Sequence, residues 1–270
     1  RLLKDCLSEL NLDDKTFPPK TMLNTISRAK DSMLTPEQYA EENQDDFRKK
    51  GIGNIYKLYQ QKLHQANALD FDDIICLTVR VLEQCEDVRE HYQRLYKYIL
   101  VDEYQDTNHA QYRLVSLLSE KHHNLCVVGD DDQSIYRFRG ATIENILSFE
   151  QEFKDAVVIR LEQNYRSTQN ILDAANELIQ NNASRKGKRL WTDNGPGDKI
   201  VSYRAADENG ESLFVTRKIE DAASSRVKFG ENAVLYRMNA QSANIEKQLV
   251  RAGIPYRIVG GTKFFDRKEI

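Results

Sequence analysis

Two adjacent carboxylates, Asp102 and Glu103, end the short apolar run Tyr98-Ile99-Leu100-Val101. Side chains alternate faces along a strand, so a buried strand feeding an Asp-Glu pair delivers both acids to its carboxyl end. That edge is where open parallel sheets bind ligands. An Asp there can hold a Mg²⁺ that bridges nucleotide phosphates, and a neighbouring Glu can take a proton from an attacking water. The pair therefore suggests nucleotide hydrolysis. The bland alternative is two solvated acids at a strand–helix turn.

Two further constellations carry chemistry. Val128-Gly129-Asp130-Asp131-Asp132-Gln133 repeats the pattern of an apolar run ending in Gly and acids, which brings Gln133 to the same edge. From there its amide can hydrogen-bond a phosphate or a water. Tyr136, Phe138 and Arg139 follow, and rings interleaved with a cation suit single-stranded nucleic acid, where each stacked base is worth roughly 1–3 kcal/mol. Their alternative is a pair of core rings. The third, Leu161-Glu162-Gln163-Asn164-Tyr165-Arg166-Ser167, places Arg166 at a strand–helix junction. An arginine so placed can reach a terminal phosphate and raise phosphoryl-transfer rates by about 10³–10⁵. A surface arginine near a helix end is the alternative.

The elements that must position these residues are legible in the pattern. Residues 1–68 read as helical and polar. Thr35-Pro36-Glu37-Gln38 is a helix start, with a capping Thr, Pro in the first turn and Gln three residues on. Ile55, Leu58, Tyr59, Leu63 and Ala66 keep a 3.6-residue period, and Gly51-Ile52-Gly53 is expected to break two helices. Ile74, Ile75, Thr78, Val81 and Leu82 mark the buried face of the next helix. Strands at 98–101, 125–128 and 157–161 then alternate with helices near 110–120, 142–154 and 167–181, the last capped by Ser167 with Ile171, Leu172, Ala175, Leu178 and Ile179 on its apolar face. Further strands are expected at 200–203, 233–236 and 256–259, with helices near 208–222 and 241–252. Such alternation predicts an α/β fold with a parallel sheet and helical crossovers.

Bulk properties narrow the classes. With 39 basic and 42 acidic residues in 270, the net charge of −3 excludes a chain basic throughout, so any nucleic-acid site is local. The four cysteines, Cys6, Cys76, Cys85 and Cys126, lack zinc spacing and read as reduced, cytosolic thiols. No apolar run reaches the ~20 residues of a membrane span. Both ends read as cut from a longer protein. The basic loop with Arg185, Lys186, Lys188 and Arg189 reads as solvated, as do His122 and His123.

In this order and spacing the three constellations resemble motifs II, III and IV of superfamily 1 DNA helicases of the UvrD/Rep/PcrA type. Leu69-Asp70-Phe71-Asp72-Asp73 is similar to the segment before motif II, and Ala233–Ser242 with Ile254–Ile270 to a later motif. The resemblance covers residues 69–270, and 1–68 resemble the inserted helical subdomain 1B more loosely. It implies RecA-like P-loop NTPase motor domains, a parallel sheet with helices on both faces, plus a portion of an all-helical subdomain. The segments would be 1–68 (1B), 69–166 (second half of motor domain 1A) and 167–270 (first part of 2A).

By resemblance, Asp102 holds Mg²⁺, Glu103 is the catalytic base, Gln133 senses the γ-phosphate of ATP, Tyr165 stacks on adenine and Arg166 touches the γ-phosphate. Tyr136, Phe138, Arg139, Arg237 and Asn239 contact DNA. The family usually has Trp where this chain has Phe138, which implies weaker base stacking. The implied function is a cytoplasmic, ATP-dependent 3′–5′ helicase, acting on single-stranded DNA and duplex junctions in repair or replication. No G-x-x-x-x-G-K-[ST] phosphate loop occurs in these residues, so the chain alone is expected to be inactive. The rivals are a non-hydrolysing DNA-binding or regulatory module and a helicase-nuclease of the same superfamily.

Overall fold

The structure is a computed structural model and describes residues 1–134, 142–182 and 187–259. It divides into two compact units, Arg1–Gly197 and Asp198–Ile270.

The first unit begins with helices α1 (Leu2–Glu9), α2 (Pro19–Asp31), α3 (Pro36–Glu42) and α4 (Phe47–Gln65). The expected start at Thr35 is present as a reciprocal capping box with Gln38. Leu3, Cys6, Leu7, Met22, Ile26, Ile55, Tyr56, Tyr59 and Leu63 form one core among these helices. The break expected at Gly51–Gly53 does not occur, because α4 runs straight through it. Both glycines serve close packing instead. A Cβ on Gly51 would lie 2.9 Å from the Phe17 ring, and one on Gly53 3.2 Å from Ala40 Cβ. The helix-propensity cost of Gly, about 1 kcal/mol each, is offset by that approach.

Next come α5 (Phe71–Gln84) and α6 (Glu86–Leu95). The buried face of α5 is Asp73, Cys76, Val79 and Leu82, whereas Ile74, Thr78 and Val81, expected inside, are exposed. The phase is set by a charge. Lys30 of α2, 2 % exposed, meets Asp70 at 2.6 Å and Asp73 at 2.8 Å, which turns the Asp73 side of α5 inward.

Strand β1 (Ile99–Val101) crosses through α7 (His109–Ser119) to strand β2 (Leu125–Val127), and the two pair in parallel with Leu100 opposite Cys126. Asn108 caps α7 in another reciprocal box, with Gln111. The helix expected at 142–154 is two short pieces, α8 (Glu144–Leu147) and α9 (Phe149–Glu152). Then α10 (Gln169–Ile179) starts at Thr168 rather than Ser167, whose N–H is held by the Asn164 side chain. Of its expected apolar face Leu172 is buried, while Ile171 and Leu178 are exposed.

The second unit contains α11 (Glu208–Ser224) and α12 (Ser242–Arg251), packed through Ile219, Leu249 and Ile254. Both helices lie where the pattern placed them. The strands expected at 157–161, 200–203, 233–236 and 256–259 are not formed among the described residues. An extended run becomes a strand only when a neighbour's N–H and C=O groups meet its own. Among the described residues these runs have no such neighbour, and Val157 and Ile159 stand 86 % and 78 % exposed. All four cysteines are free, and no helix among the described residues is long and apolar enough to cross a membrane.

Candidate functional site

The parallel β1–β2 ladder delivers the two acid-bearing turns side by side. It extends past the strands, since Val128 N–H donates to Val101 at 2.8 Å and Tyr104 N–H to Val128 at 2.9 Å. Chain reversal at the end of β1 puts Glu103 in the left-handed region, with φ of 50°. For a residue with a Cβ that conformation costs on the order of 1 kcal/mol and persists only where surroundings impose it. Here Asp102 Oδ1 accepts the Glu103 N–H at 2.9 Å, and a 3₁₀ turn over Tyr104–Asp106 follows. Tyr104 anchors that turn. It is buried edge-on against Phe149, and burial pushes its phenol up to about 12.

At the end of β2, Asp130 organises a second 3₁₀ turn, Asp131–Gln133. Its carboxylate accepts the Asp132 N–H at 3.0 Å and the Gln133 side-chain amide at 2.7 Å. Lys188 closes on the same group, bonding Asp130 and lying 3.5 Å and 3.6 Å from Asp131 and Asp132. Burial works against charge on Asp130, yet the Lys188 and Gln133 contacts hold its carboxyl below the ordinary range. Burial likewise opposes charge on Lys188, but the three aspartates raise it above the usual ammonium value. The solvated-loop expectation for Lys188 is thereby corrected: its aspartate partners draw it half out of solvent.

Asp102, Glu103, Asp130, Gln133 and Lys188 line one cleft of about 1320 Å³. Burial and the Glu103 charge push the neighbouring Asp106 carboxyl up. Three of the expected site residues, Asp102, Glu103 and Gln133, are thus brought together. Tyr165 and Arg166 do not line this cleft. They sit on a turn made by Asn164, whose side-chain oxygen accepts the N–H groups of Arg166 at 3.0 Å and Ser167 at 2.7 Å. That turn is fastened by Trp191, which accepts the Asn164 N–H at 2.7 Å, and by Asn194, whose amide donates to the Tyr165 and Ser167 carbonyls. Arg237 and Asn239 are exposed in the second unit, beside a 3₁₀ turn in which Gln241 accepts the Arg237 N–H at 3.1 Å. Tyr136, Phe138 and Arg139 lie outside the described residues, as do Arg185 and Lys186.

Residues 1–154 match the model of the UvrD/REP helicase N-terminal domain, and 159–270 that of the UvrD-like helicase C-terminal domain. The chain belongs to the UvrD/REP helicase family. Among its relatives, the ATP-dependent DNA helicase PcrA of Bacillus subtilis is 52% identical over 270 residues, covering 100% of this chain and 36% of the relative. The PcrA of Staphylococcus epidermidis is 50% identical over 269 residues, again 100% of this chain and 37% of the relative. That of Leuconostoc citreum is 48% identical, with 100% and 36% covered. The chain thus spans little more than a third of the length of these UvrD/REP relatives. The motif resemblance is borne out at the level of family and of PcrA as relative.

Two residues to which sequence reading gave no place in the site line or brace it. Lys188 was read only as part of a solvated basic loop, since its nearest partner, Asp130, lies 58 residues away. Gln105 stood inside the motif but had no role assigned. It is 1 % exposed and hydrogen-bonded to both acid-bearing turns.

Proposed function

We propose that the chain is part of an ATP-dependent DNA helicase, and that the cleft beside β1 and β2 is one wall of its ATP site. The observation that carries this reading is the convergence of Asp102, Glu103 and Gln133 on one cleft from the ends of two adjacent parallel strands. Glu103 is the base that accepts a proton from the water attacking the γ-phosphate. Gln133, steered by Asp130, offers its amide to that phosphate. Asp102 is exposed and ends β1 with a carboxylate oxygen, a hard donor of the kind Mg²⁺ takes, so the residues present fit that ion. When bound, Mg²⁺ would offset negative charge on the phosphates. Tyr165 stacks on adenine, and Arg166 meets the γ-phosphate once the cleft closes. Tyr136, Phe138 and Arg139, with Arg237 and Asn239, grip single-stranded DNA, and changes in that grip drive 3′–5′ movement and opening of duplex junctions.

In this reading residues 1–68 belong to a helical subdomain, 69–166 to the first RecA-like motor domain and 167–270 to the second, and in the full-length protein each motor is built on a parallel sheet covered on both faces. The parallel crossover from β1 through α7 to β2 supports the first motor. The phosphate loop is assigned to the part of the full-length protein outside these residues, and the working place to the cytoplasm. A non-hydrolysing module is not favoured, because the base, the Mg²⁺ ligand and the γ-phosphate sensor are all retained.

Glu103→Gln in the full-length protein tests the reading. Steady-state ATP turnover is expected to fall by about 10²–10⁴-fold, the usual contribution of a positioned base, with nucleotide affinity retained. Unchanged turnover would remove Glu103 from its role.

A further inference from the structure

We infer that Gln105 is a positioning residue that locks the Glu103 carboxylate to the Gln133 turn, so that base and phosphate sensor move as one unit. This rests on the helicase reading of the cleft. The Gln105 side chain spans the gap between the two acid-bearing turns. Its Nε2 donates to Glu103 Oε2 at 2.8 Å, and its Oε1 accepts the Asp130 N–H at 2.9 Å. Its own carbonyl accepts from Ser134 Oγ at 3.4 Å, at the far end of the Gln133 turn. A single buried amide thus uses its donor on one turn and its acceptor on the other.

The surroundings are shaped for it. A Cβ on Gly129 would lie 2.7 Å from Gln105 Oε1 and 3.2 Å from its backbone nitrogen, so only glycine lets the amide seat here. Glu103 is held in the left-handed conformation directly before this 3₁₀ turn, and the hydrogen bond from Gln105 fixes where its carboxylate then points. The chemistry needs both properties of an amide. A carboxylate in its place keeps the acceptor for Asp130 N–H but sets oxygen against oxygen at Glu103. A thioether of equal length keeps the volume and offers neither bond.

The test uses the full-length protein with Gln105→Glu, Gln105→Met, Glu103→Gln and the double change Glu103→Gln with Gln105→Met. Steady-state ATP turnover is measured together with nucleotide-free affinity for single-stranded DNA at matched salt. Each Gln105 variant is expected to lower kcat about 10–100-fold, with KM for ATP within about 3-fold, since misplacing a reacting group by about 1 Å costs on that order. In the Glu103→Gln background the Gln105→Met change is expected to cost nothing further, because both act through the same carboxylate. A kcat within about 2-fold of the parent for Gln105→Glu overturns the inference. So does a loss that adds fully to that of Glu103→Gln, or one accompanied by loss of nucleotide-free DNA affinity, which would make Gln105 a residue of the fold alone. Unchanged turnover in Glu103→Gln instead overturns the helicase reading of the cleft, a separate outcome.

Discussion

At the scale of residues, the site is a set of short-range constraints that each use up a charge. Lys188 shows this most clearly. Its ammonium sits among three carboxylates, and the Asp130 and Lys188 side chains are only 26 % and 20 % exposed. The pair is less costly to break than a fully buried one and worth more than a surface one, so Lys188→Met is expected to destabilise the protein by about 1–3 kcal/mol at neutral pH. The pH dependence follows from the two shifts. Asp130 is depressed, so its contribution is complete above the ordinary carboxylate value of about 3.9 and is lost as pH falls through its lower folded value. Lys188 is raised, so its contribution is complete below about 10.4 and is lost as pH rises through its higher folded value. The stability difference between parent and Lys188→Met is therefore flat across neutral pH and shrinks below about pH 4. Urea unfolding at pH 7 and pH 3.5 measures it, and equal differences at both would remove Asp130 as the partner.

At the scale of elements, the junction between α2 and α5 is organised by one buried cation. Lys30 bonds both acids of the α5 capping box, Tyr59 donates to Asp70 at 3.1 Å, and Cys76 donates its thiol to the Lys30 carbonyl at 3.2 Å. Lys30→Met would leave two inward carboxylates without a counter-charge, a change that costs about 3–5 kcal/mol when the partner is buried. Combining it with Asp73→Asn is expected to recover part of that loss in the same denaturant titration, and no recovery would assign the loss to packing. This junction also explains what the sequence pattern could and could not convey. The cap at Thr35 and helices α7, α11 and α12 are local in origin and legible, and strands β1 and β2 formed where expected because their two apolar runs pair with each other. The phase of α5 is not, because Asp73 is turned inward by a lysine 43 positions earlier in the chain. Nor is the continuity of α4 through Gly51 and Gly53, whose reason is Phe17 and Ala40 from other elements. The acids and Gln133 were legible because each ends an apolar run, whereas Gln105 and Lys188 act through partners that only folding supplies.

At the scale of the whole molecule, the proposal that this cleft is half of a nucleotide site has a direct test. The cleft is lined by the residues proposed as base, Mg²⁺ ligand and phosphate sensor, and its lining includes Val157, Val158 and Ile159, whose side chains stand largely exposed. None of the 270 residues forms a Gly-rich Lys-Ser/Thr loop of the kind whose backbone N–H groups cradle the α- and β-phosphates. Catalysis in phosphoryl transfer is almost entirely positioning and charge stabilisation, so a base without a positioned phosphate has nothing to accelerate. The purified 270-residue chain is therefore expected to show no ATP turnover above background under conditions in which the full-length protein turns over, with or without single-stranded DNA. A coupled ATPase assay on the two proteins side by side decides it. Turnover by the chain alone at a rate near that of the full-length protein would mean that the phosphates are held by residues of this cleft, with Lys188 the first cation to test, and would move the phosphate cradle from the rest of the protein to the Asp130–Gln133 turn.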